Sequence, residues 1–125
     1  MKTESKFSFK NRLASFRYAF QGIRTLVIGE HNMWIHLTLA FLAVVAGFYL
    51  RISVIEWSLI IICIGVVLSA EGFNTCIEYL CDKITITEDP LIKKIKDISA
   101  AAVLISSIMA AIVGILIFGP KFLEL

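Results

Sequence analysis

Apolar positions occur in two patterns along this chain: a narrow helical stripe near the N-terminus, then three long and nearly continuous runs. Phe9, Leu13, Phe16, Phe20, Ile23 and Val27 are spaced 4, 3, 4, 3 and 4 residues apart, the rhythm of a helix with one apolar face. Lys10, Arg17 and Arg24 border that stripe on one side and Arg12 on the other. The pattern predicts an interfacial amphipathic helix over residues 7–29, lying in the plane of a membrane with its basic side chains reaching phosphates. The competing reading is a soluble helix packed on a core, and the chain offers little other polar sequence to build one.

The three runs predict transmembrane helices over 33–50, 54–80 and 98–118. Residues 51–56 leave room only for a tight turn between antiparallel helices. Residues 85–90 read as a loop, because Pro90 lacks an N–H and biases Asp89 away from helical geometry. Residues 91–97 then start a helix that runs into the third span, and Gly119-Pro120 is expected to end it. The whole chain, 1–125, reads as a single all-α membrane domain.

Composition supports that reading. Of 125 residues, 58% are hydrophobic and 18% charged, and the mean hydropathy is +0.86, a balance of a multi-pass membrane protein rather than a soluble globule. A net charge of +2 is too small to suggest nucleic acid as a partner. The first 30 residues lack an apolar signal region with a small-residue cleavage site, so no signal peptide is expected. Cys63, Cys76 and Cys81 show no metal-ligand spacing and read as small packing residues.

The distribution of lysine and arginine predicts orientation. Six precede the first span (Lys2, Lys6, Lys10, Arg12, Arg17, Arg24) and four lie between the second and third (Lys83, Lys93, Lys94, Lys96), against Arg51 and Lys121 elsewhere. The N-terminus and the 83–97 loop are therefore expected in the cytoplasm and the C-terminus outside.

Candidate chemistry gathers at the cytoplasmic end. The apolar run 57–70 covers roughly 21 Å of helix, short of a bilayer core of about 30 Å. Its continuation carries Glu71, Asn74, Glu78 and Asp82 at i, i+3, i+7 and i+11, on one helix face. Part of this acidic face must lie below the headgroups, where ionisable residues are costly and mark function. Glu78 and Asp82 repel at i, i+4. Raised pKa values, a cation from another helix, or a divalent metal would each relieve them. Magnesium suits such a site, because it takes one or two carboxylates together with substrate phosphates. Lys93, Lys94 and Lys96 lie nearby as point charges for phosphate. Together these suggest phosphoryl transfer to a lipid hydroxyl, chemistry that depends on positioning and charge neutralisation.

Plainer roles exist for each residue. Asn74 suits a helix–helix hydrogen bond as well as a site. Glu71 could be a packed neutral acid, and Glu78 with Asp82 a solvated helix end. Lys93 and Lys94 suit headgroup anchoring. His31 and His36 read as interfacial rather than as ligands, and Glu56 with Trp57 as an anchor at the outer surface.

The string Glu71-x-x-Asn74-Thr75-Cys76-Ile77-Glu78-x-x-x-Asp82 resembles the signature of the small prokaryotic diacylglycerol kinase family, which includes the undecaprenol kinases. Residues 16–24, 30–36 and 96–103 resemble further segments of that family in the same order. The resemblance implies an interfacial helix plus three spans, assembled as a homotrimer with sites shared between subunits. It implies Glu71 as general base on the lipid hydroxyl and Glu30 and Glu78 as ligands of the Mg2+ that accompanies ATP. Asn74, Lys96 and Asp97 would position the phosphates, with Tyr18 near the nucleotide base and Arg24 near phosphate. His36 and the Gly119-Pro120-Lys121 ending look more like the undecaprenol kinase branch, and the choice between undecaprenol and diacylglycerol stays open. The alternative from another class is a small proton- or cation-coupled transporter with Glu71 as the ion-carrying acid. A structural subunit whose acids pair with a partner's bases is the third.

Overall fold

The computed structural model describes residues 7–125; Lys2 and Lys6, counted above for orientation, lie outside the described residues. The described chain is all-helical, with α1 (Phe9–Gly29), α2 (His31–Tyr49), α3 (Val54–Ile84) and α4 (Pro90–Leu123). It divides into two bodies, Met1–Glu30 and His31–Leu125. The first contributes α1, one unbroken helix that ends where Glu30 takes an extended conformation, its N–H still donating to the Leu26 carbonyl.

The second body is an antiparallel bundle of α2, α3 and α4, all three long and apolar enough to cross a membrane. Its boundaries are set by local chemistry. Ser53 and Glu56 form a reciprocal capping box at the start of α3: the Glu56 N–H donates to Ser53 Oγ at 3.2 Å and the Ser53 N–H to Glu56 Oε1 at 2.9 Å. Arg51, at φ 52°, supplies the left-handed residue that reverses the chain before it. Asp89 caps α4 by accepting from the Leu91 and Ile92 N–H groups at 2.8 and 3.2 Å, and Pro90 occupies the first turn, where its missing N–H is harmless.

One end differs from the sequence expectation. The expected stop at Gly119-Pro120 is not where α4 ends; the helix continues through Pro120 to Leu123. Phe118 packs on the bundle core, and Lys121 Nζ lies 3.4 Å from Glu56 Oε1, so both sides of the proline are tied down. Apolar surroundings and neighbouring helices tolerate such a proline where water would not. Glu56 and Trp57, expected as anchors at the outer surface, lie half-buried in the first turn of α3. Glu56 caps α3, and the Trp57 ring lies against Phe48, with ring centroids 4.8 Å apart.

Close packing concentrates at the end of the bundle where α2 turns into α3. Ile52, Ile60 and Ile117 are buried there, with Trp57, Val113 and Phe118 against them. A Cβ at Gly47 would meet the Trp57 ring at 2.7 Å, so only glycine admits this approach. Elsewhere the large apolar side chains point outward: Ile61 is 63% exposed and Leu116 69%. Outward aliphatic faces along three helices are what a lipid surrounding requires.

Candidate active site

The polar residues collect at the opposite end of the bundle, away from the isoleucine core. α3 carries them. From Glu56, ion-paired at the far end, to Glu71 is fifteen residues, about 22 Å of helix against about 30 Å of hydrocarbon. That is less than a full crossing, and the bundle conceals Glu71: it is 1% exposed, the most deeply buried large side chain among the described residues.

Asn74, one turn further on, is 5% exposed. Its Oδ1 accepts a 2.8 Å hydrogen bond from Ser99 Oγ on α4, and its Nδ2 donates to Glu78 Oε1 at 3.4 Å. It makes the bond between helices that the sequence allowed, and reaches a second acid on its own helix. Asp82 meets a cation from another helix, with Lys96 Nζ 2.6 Å from its Oδ1, one of the three remedies expected for the crowded carboxylates. Asp97 does not join that cluster; it pairs with Lys93 along its own helix at 2.6 Å. A polar cleft of about 880 Å³ opens here, lined by Asp82, Thr85, Glu88, Lys93, Lys96 and Asp97. Tyr18 and Arg24 lie on α1 and Glu30 at its C-terminal cap, in the other body.

Three residues escaped the sequence reading. His36, expected at the interface, instead points its Nε2 at Glu71 Oε2 from 3.4 Å, and its side chain is only 14% exposed. Its signal was its isolation: a histidine set in an otherwise apolar run. Ser99 is 6% exposed and Thr75 2%. Ser99 is three residues after Lys96 and so shares its face. Two buried oxygens here, Glu71 Oε2 and Thr75 Oγ1, have no hydrogen-bond partner. A buried oxygen left without a hydrogen bond is expensive.

An apolar groove of about 510 Å³ runs between the three helices, lined by Leu39, Ala43, Ile60, Val67 and Ala110, with His36, the neighbour of Glu71, also in its wall. Among the described residues, no three histidine, cysteine or acidic side chains converge to form a complete metal cage.

The family described as "Prokaryotic diacylglycerol kinase" matches residues 17–118. A protein of Bacillus subtilis named undecaprenol kinase is 39% identical over 107 residues, 86% of this chain and 87% of its own length. A protein of Synechocystis named diacylglycerol kinase is 32% identical over 117 residues, covering 92% of this chain and 66% of the relative. Neither match supports the transporter alternative.

Proposed function

The chain belongs to the prokaryotic diacylglycerol kinase family, as a multi-pass membrane enzyme of the lipid-kinase class, and from that premise we propose that it transfers the γ-phosphoryl group of ATP to the hydroxyl of undecaprenol or diacylglycerol. The observation that carries the reading is Glu71: a carboxylate 1% exposed whose Oε2 accepts no hydrogen bond. Glu71 accepts the proton of the lipid hydroxyl; the hydroxyl oxygen bonds to the γ-phosphorus as the bond from that phosphorus to the β-phosphate oxygen breaks, and ADP departs. The apolar groove that reaches His36 gives the lipid's chain a place beside this base.

Glu78 lies seven residues beyond Glu71, roughly 10 Å along the helix, which separates a proton acceptor at lipid depth from an acid nearer the polar cleft. Its carboxylate is hard oxygen, as magnesium prefers, and one or two such groups suffice when phosphates complete the shell. Glu78 with Glu30 would hold the ion, whose part is to neutralise charge on the β- and γ-phosphates. Asn74 orients Glu78, Lys96 and Asp97 position phosphate, Arg24 adds a second cation, and Tyr18 lies against the nucleotide base. The enzyme works as a homotrimer in the bacterial inner membrane, with the N-terminus cytoplasmic and the C-terminus outside. Lysine and arginine placement supports the orientation.

The test is purified protein with γ-labelled ATP, magnesium and either lipid, beside Glu78→Gln. Label should enter lipid with wild type and fall sharply with the variant. Equal labelling by both removes Glu78 from metal binding, and no labelling of any long-chain alcohol or diglyceride overturns the kinase reading.

A further inference from the structure

We propose that His36 is a positioning residue for Glu71, its imidazole Nε2 set against the carboxylate so as to hold it at the angle from which it takes the substrate's proton. This rests on Glu71 being the base of the proposed kinase reaction. The two side chains come from different helices, α2 and α3, and face each other with Nε2 3.4 Å from Oε2, at side-chain exposures of 14% and 2%. The separation is that of an ion pair, yet Oε2 remains without an aligned hydrogen bond. The carboxylate has two oxygens, each with two lone pairs, so an imidazole resting against Oε2 aims the group and still leaves acceptor sites for the hydroxyl proton.

No neighbour on α3 takes over this task. Asn74 is engaged with Ser99 and Glu78, and Thr75 Oγ1 donates to nothing. His36 also borders the apolar groove, so it stands at the junction between the space for a lipid and the carboxylate that acts on it. Both the imidazolium and the neutral tautomer protonated at Nε2 can donate there.

The experiment compares His36→Leu, His36→Gln and His36→Asn with wild type and Glu71→Gln, measuring kcat, KM for ATP and lipid, and the unfolding midpoint in detergent. Gln carries an amide N–H at the place of Nε2; Asn carries one at the place of Nδ1, too short to reach. His36→Leu should lose about 10²-fold in kcat, the scale of a misaimed catalytic group, with both KM values unchanged. His36→Gln should recover most of that loss and His36→Asn little. Wild-type kcat in the leucine variant overturns the proposal, and so do equal rates for Gln and Asn, a comparison that stands even where the leucine variant fails to fold. A wild type that phosphorylates no lipid defeats the kinase reading itself, an outcome separate from the ranking of the His36 variants.

Discussion

Ser99 Oγ donates to Asn74 Oδ1 at 2.8 Å, a buried bond between residues twenty-five positions apart that fastens the start of α4 to the acidic end of α3. Removing the hydroxyl leaves Asn74 Oδ1 unpaired in the interior, a cost of about 1–3 kcal/mol. Ser99→Ala should therefore lower the unfolding midpoint in detergent and, by freeing the Asn74 amide, reduce turnover. Ser99→Thr should keep both close to wild type. Equal midpoints for Ser99→Ala and wild type would show that the bond contributes nothing.

Glu71→Gln tests the base directly. The amide nearly matches the carboxylate in shape, so the bundle should assemble with an unfolding midpoint at or above that of wild type. Turnover should fall by about 10²–10⁴-fold, the usual contribution of a general base. A variant that fails to assemble yet keeps the activity of its folded fraction would make Glu71 a packing residue.

Lys96 and Asp82 predict a different outcome. Their contact is short, but the side chains are 39% and 66% exposed, and water screens such pairs. Asp82→Asn should leave the unfolding midpoint essentially unchanged. Lys96→Met should raise KM for ATP, because the lysine's proposed partner during turnover is phosphate. A large stability loss with unchanged KM would assign Lys96 to the scaffold.

At the far end of the bundle, Gly47→Ala forces a methyl group into the Trp57 ring, 2.7 Å away. Overpacking of this kind costs about 1–3 kcal/mol. The midpoint should drop while the kcat of the folded enzyme holds, since the clash is remote from Glu71. A matching fall in kcat at a temperature where the variant is folded would reveal coupling between the two ends.

Much of this was legible before any coordinates. Runs of apolar residues longer than a soluble helix needs announced three spans, and Glu71, Asn74, Glu78 and Asp82 declared a common face by spacing alone. The role of His36 was not legible, because its partner is thirty-five residues away and only the antiparallel register of α2 on α3 sets them opposite. The continuation past Pro120 escaped for a related reason. Local rules end a helix at proline, and the contacts that carry α4 onward, Lys121 with Glu56 and Phe118 with the isoleucine core, are tertiary.

The amino-acid sequence alone determined which segments are helical and apolar, where charge accumulates, and which residue types stand at the site, since these follow from periodicity and transfer energy along one chain. Tertiary structure decided the pairings: which carboxylate is concealed, which meets a lysine, and which faces a histidine. Pairing depends on the register and rotation of one helix against another, which packing sets and which no single helix encodes.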